Sequence, residues 1–121
     1  MSYRDEMWSA FHVPVNDAGE KEMEVLDYID NPSPNIKSFY IVDKQNDLLW
    51  RLYHNFNEAF GIIIYDCEDE RMKKEDVPKA LEMAIAFREN AADENTKEAA
   101  TKLIEILSFA KEHNSLVEFW F

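Results

Sequence analysis

Four carboxylates, Asp66, Glu68, Asp69 and Glu70, follow directly on the apolar run at 62–65. Carboxylates at the end of a strand can ligate Mg²⁺ or divide acid and base work between them. The same run also reads as a solvated or partner-facing loop, because no histidine or second carboxylate motif accompanies it. His12, His54 and His113 share no ligand spacing, and HxxxH, HExxH and CxxC are absent. Cys67 and His54 would make a nucleophile–base pair only if the helix bearing His54 returns to the strand ending near Cys67. An incidental or structural cysteine is the simpler reading. No catalytic residue, metal site or cofactor follows from these residues.

Trp50 stands out for a different chemistry. A helix expected over 47–60 carries its apolar stripe through Leu48, Leu52, Phe56 and Phe60. Trp50 projects away from the middle of that stripe, with His54 and Asn57 on its side at i+4 and i+7. An exposed tryptophan beside acids has the composition of a protein-binding hot spot. Burial beneath the N-terminal segment is the competing reading, since tryptophans are well buried on average. Arg71, Lys73 and Lys74 form the one basic cluster and read as a local counterbalance to the acids before them.

The elements that position these residues must carry a lopsided charge. Residues 1–70 hold 15 acids against 5 bases, a net of -10, and residues 71–121 hold 10 against 8, a net of -2. A segregated field faces a partner or repels one, whereas mixed charge mainly solvates. The pI near 4.6 disfavours direct contact with nucleic acid or anionic membrane and suits a basic protein. With 121 residues, 46% of them hydrophobic, the chain is read as one domain over 1–121, with 1–35 an acidic segment packed on it. No signal peptide or membrane span is expected, and a cytoplasmic location follows.

Periodicity then gives the order of elements. Near the N-terminus, Trp8 and Phe11 suggest a helical turn, and Phe11, Val13 and Val15 alternate as in a strand. Met23, Leu26 and Ile29 share one face of a short acidic helix. The Asn-Pro-Ser-Pro-Asn run at 31–35 breaks the chain before a strand over 36–42. The helix over 47–60 ends at Gly61, and 62–65 reads as a central strand covered on both faces. A charged loop spans 66–75. Helices over 77–90, with Asp76 as cap, and over 94–113 precede a last strand at 116–121. The fold class is α+β or α/β, a small mixed sheet packed against about three helices. A parallel pair between 36–42 and 62–66 is permitted by the helix joining them. The core should include Leu52, Phe56, Ile63, Leu81, Ile85, Leu103 and Leu107.

In size, acidity and lack of catalytic motifs the chain resembles the immunity proteins of bacterial toxin systems. That resemblance implies a non-enzymatic inhibitor that binds a basic toxin domain, for example a nuclease, through complementary charge and aromatic anchors. The partner-binding residues expected are Asp27, Asp30, Trp50, Glu68, Asp69 and Glu70. A second reading is an inhibitor that imitates nucleic acid, its carboxylates following a phosphate-like path. The acids of the first seventy residues form no regular helical ladder, which counts against that reading. A small enzyme using the loop from Asp66 to Glu70 is a third, and a structural subunit with a soluble acidic half a fourth.

Overall fold

The computed structural model of the chain describes residues 7–25, 33–65 and 69–121. Four strands form one sheet in the order β2-β1-β4-β3: β1 (Trp8–Pro14), β2 (Ile36–Val42), β3 (Asp69–Met72) and β4 (Val117–Trp120). Every pairing is antiparallel, with Phe11 opposite both Phe39 and Phe119, and Glu70 opposite Phe119. The helices are α1 (Asp17–Glu24), α2 (Asp43–Asn46), α3 (Trp50–Phe60), α4 (Val77–Asn90) and α5 (Glu94–Glu112), with a 3-10 turn at Asp47–Leu49 between α2 and α3. The class is α+β, one of the two that the order of elements allows.

Period-2 alternation sends Ser9, Phe11 and Val13 of β1 to one face of the sheet, together with Phe39, Ile41, Phe119 and Met72. Helices α3, α4 and α5 cover this face. Their apolar stripes supply Leu52, Tyr53, Phe56, Ala80, Ala84, Leu103 and Leu107, each at most 1% exposed. Rings meet edge-on through the core, Phe11 with Phe119 at 5.5 Å and Phe39 with Phe109 at 5.4 Å. A buried hydrogen-bond chain then fixes how α3 enters. The Tyr53 hydroxyl donates to Asn46 Oδ1 (2.5 Å), Asn46 Nδ2 donates to Ser9 Oγ (3.1 Å), and Ser9 Oγ donates to Asp43 Oδ1 (2.7 Å). Three elements are thus joined without an unmet polar atom in the chain. Burial raises the Tyr53 hydroxyl well above its usual pKa, so it stays a donor.

The opposite face is covered in part by α1, which buries Met23 against Ile36, Leu116 and Trp120. Asn16 caps α1 by accepting from Gly19 N (2.9 Å). Gly19 is required there by space, because a Cβ would lie 2.2 Å from the Asn35 carbonyl oxygen. That oxygen already accepts Val15 N–H at 2.9 Å. Beneath α1, Arg71 donates from Nε to buried Glu118 (2.9 Å) and from Nη2 to the Met23 carbonyl (2.9 Å). His12, beside them, meets Ser38 Oγ at 2.7 Å and the Trp120 ring at 5.4 Å. Burial holds the His12 pKa below its ordinary 6.5, with Glu118 opposing that shift.

Several sequence expectations need correction. The run at 62–65 takes up no regular secondary structure and joins no sheet, and Ile63, expected in the core, is 62% exposed. Only Ile64 of its neighbours turns fully inward, so the parallel pair with 36–42 does not form. Leu81 and Ile85 are half-buried rather than central, since α4 meets the core through Ala80 and Ala84. The expected loop at 66–75 contains β3, and the expected helical turn at Trp8 is strand throughout. Asp76 precedes α4 without a capping bond from its side chain. Gly61 does end α3, in the left-handed conformation at φ 66°. Leu26 and Ile29 lie outside the described residues.

Two outcomes are expected of this architecture. Phe56→Ala should lower unfolding stability by about 3–5 kcal/mol, read from urea melts, through lost burial and a residual cavity. Stability should also fall as pH drops below His12's ordinary value of 6.5. The unfolded chain takes up that proton while the folded chain resists it, so the unfolded state gains. Urea midpoints at about pH 7.5 and about pH 5.5 check this, and His12→Gln should flatten the difference.

Candidate partner-binding surface

The sequence-expected binding residues separate once placed. Asp27, Asp30 and Glu68 lie outside the described residues. Asp69 is exposed at the start of β3, opposite Trp120. Glu70 turns back on the chain: its carboxylate accepts from Ile63 N (2.8 Å) and from Arg71 N (2.9 Å). Trp50 is half-buried. Its indole N–H donates to Asp47 Oδ1 (3.2 Å), and its ring meets Tyr53, Tyr65 and Phe121 at 5.7, 6.0 and 6.2 Å. The packing thus comes from α3, the 62–65 segment and the last residue.

That segment sits where it does because α3 supplies it with polar partners. Asn57 Oδ1 accepts from Ile64 N (2.7 Å), and Asn57 Nδ2 donates to Ile64 O (3.2 Å). One side-chain amide thereby satisfies both backbone groups of the buried residue, as a neighbouring strand would. Ile63 and Tyr65, on either side of Ile64, are each 62% exposed. Trp50, Asp47, Tyr65, Ile63 and Glu70 therefore share one surface, joined by the bonds and ring contacts already given.

A second acidic surface was legible in the sequence and missed. Glu98, Glu105 and Glu112 recur every seventh residue along α5, Glu94 lies one turn before Glu98, and Glu82 and Glu89 repeat the interval on α4. All six are exposed. Arg88 donates to Thr101 Oγ1 across the hairpin (3.3 Å), which sets Glu89 opposite Ala100 and Glu82 opposite Leu107, about half a turn from Glu98 and Glu105. Lys79, Lys97 and Lys111 share this half of the chain, with Lys97 3.7 Å from Glu94. The row is therefore partly neutralised.

The acid–base alternatives find little geometry. His54 is exposed and paired with Glu58 at 3.1 Å, and Cys67 lies outside the described residues. Among the described residues, no group of three or more His, Cys, Asp or Glu side chains could hold a metal ion. A depression of about 270 Å³ is bordered by Asp69, Glu70, Arg71 and Glu118, whose charged groups largely pair with one another or with backbone. A wider groove of about 620 Å³ runs between α3 and the α4–α5 connection, over Leu48, Leu52, Met83 and Phe87. Among the described residues, no helix is long and apolar enough to cross a membrane.

No family model matches the chain, and no curated protein sequence matches it. Among solved structures it is similar to the Neisseria DNA mimic protein DMP12. The TM-score is 0.56 at 21% identity, over 94% of this chain and 98% of that one. The two proteins share a fold along nearly their whole lengths.

Proposed function

We propose that this chain is an inhibitory binding protein that imitates double-stranded nucleic acid and occupies the nucleic-acid-binding surface of a basic protein. The observation that carries the reading is the near-complete architectural likeness to a DNA mimic protein in a chain of net charge -12. Carboxylates held on a rigid α+β frame replace phosphates, and the partner's lysines and arginines receive them without a duplex. Charge steers encounter, and aromatic groups set residence time.

Two acidic surfaces compete for the contact, and the charge of the sequence half that supplies each favours one of them. The half containing Asp47, Asp69 and Glu70 carries -10, while the half bearing the glutamate rows carries -2. We therefore place the contact on the first, with Asp27, Asp30, Glu68, Asp69 and Glu70 as its acids and Trp50 as a supporting wall. The rows on α4 and α5 add to the long-range field. Action inside the cytoplasm belongs to the same reading. A toxin nuclease, the partner that an immunity protein would meet, presents the same basic surface and is one identity the partner could have.

The test is displacement. Proteins of the source cell retained on double-stranded DNA-cellulose are washed with the purified chain at constant salt. One or a few proteins should elute at concentrations where charge-matched polyglutamate releases none. Elution no better than polyglutamate overturns the reading. Each eluted protein, purified, is then titrated against a labelled duplex with the chain as competitor. Asp47→Lys with Asp69→Lys should slow association and flatten its salt dependence, by on the order of tenfold in rate at low salt. Glu98→Lys with Glu105→Lys should act less. The reverse ranking would move the contact to the helical hairpin.

A further inference from the structure

We infer that Ile63 and Tyr65, with Trp50 as their wall, form a rigid strip that receives arginine side chains from the partner's nucleic-acid-binding surface. The inference deepens the proposed function and rests on it. Exposure of single apolar residues is ordinary. What distinguishes this strip is that polar bonds hold it outside any sheet. Asn57 takes both backbone groups of Ile64, and Glu70 takes the N–H of Ile63. With Ile64 anchored at 1% exposure, Ile63 and Tyr65 are left projecting, each 62% exposed. A segment fixed in this way loses little freedom when a partner covers it.

The surroundings select the occupant. Asp47 lies one hydrogen bond from the Trp50 indole, and Glu70 one hydrogen bond from Ile63. The Trp50 and Tyr65 rings meet at 6.0 Å with an angle of 60° between their planes. Flat π faces beside carboxylates fit a guanidinium, which stacks on rings and pairs with carboxylates in one plane. A lysine ammonium is more strongly hydrated and gains less from the rings. A second copy of this chain fits poorly, because it would bring a further net charge of -12 against the same carboxylates. The strip thus adds a preference for arginine to an electrostatic field that does not distinguish the two cations.

Nona-arginine and nona-lysine serve as probes of the full-length chain, followed by calorimetry and by ¹⁵N amide shifts. Nona-arginine should bind about tenfold more tightly than nona-lysine, with shifts centred on 62–65, Glu70 and the Trp50 indole. Ile63→Ser with Tyr65→Ser leaves the net charge unchanged. It should erase the preference for arginine while leaving the salt dependence as it was, and Tyr65→Phe should preserve the preference. Circular dichroism checks the fold of each variant. Equal binding of the two peptides overturns the inference, as does an unaltered preference in the serine variant. Shifts spread evenly over the acids, or sedimentation showing that the strip pairs two copies, overturns it too. The DNA-cellulose wash separates this failure from that of the proposed function. A serine variant that displaces as well as the original chain removes the strip and keeps the mimic, whereas no displacement by either removes the mimic.

Discussion

The position of β4 between β1 and β3 is the constraint on which the rest of the candidate surface depends. The last residues of the chain fill the gap, and β3 has its pairing with β4 alone among the described strands. Phe119 reaches Phe11 and Tyr53 on the core face, while Phe121 beyond it reaches Tyr53 and Trp50. On the other face Glu118 takes Arg71, which in turn holds the end of α1 through the Met23 carbonyl. One four-residue strand therefore sets the position of β3, the orientation of Trp50 and the docking of α1. Loss of β4 would unpair β3 and remove one support each from Trp50 and α1, which keep their contacts with Asp47, Tyr53 and Tyr65 and with Asn35 and Ile36.

The same insertion explains how an acidic strand is tolerated at the sheet edge. β3 reads Asp-Glu-Arg-Met, and only Met72 is fully buried. A short, charged edge strand resists pairing with other chains. Its charges are also put to use locally. Arg71 neutralises a buried carboxylate that would otherwise be costly to bury. Glu70 sits on the core face at its rim and supplies an acceptor to the 62–65 segment.

Elements with a strong period were legible in the sequence. Ala80 and Ala84 share one face of α4, and Leu103, Leu107 and Ala110 share one face of α5, so both helices follow directly from spacing. The strand over 36–42 was equally clear from its aromatic and β-branched residues. The 62–65 run was not, because four consecutive apolar residues fit a buried strand as well as a half-exposed irregular segment. The deciding fact is the amide of Asn57, one helix earlier, which substitutes for a strand partner and which no periodicity announces. β3 was invisible because its burial depends on β4 and not on its own composition. Buried Ser9 and His12 obscured β1 in the same way, since their partners Asp43, Asn46 and Ser38 come from β2 and the turn after it.

The candidate surface shows the same division. Charge segregation was readable from counting. The glutamate rows of α4 and α5 were also readable, and were passed over because the second half is nearly neutral in sum. A sum hides geometry: six exposed acids can recur along a hairpin while lysines on its flanks cancel them in the total. Trp50 shows the opposite limit. The buried stripe of α3 runs through Leu52, Tyr53 and Phe56, Leu48 is exposed, and Trp50 is half-buried because Tyr65 and Phe121 arrive from other parts of the chain to pack on it. Beside it, Ile63 and Tyr65 are the apolar side chains left exposed. A rigid aromatic wall with projecting neighbours is a better receptor for a planar cation than a lone mobile indole, because the wall's ordering cost is met in folding and not again on binding.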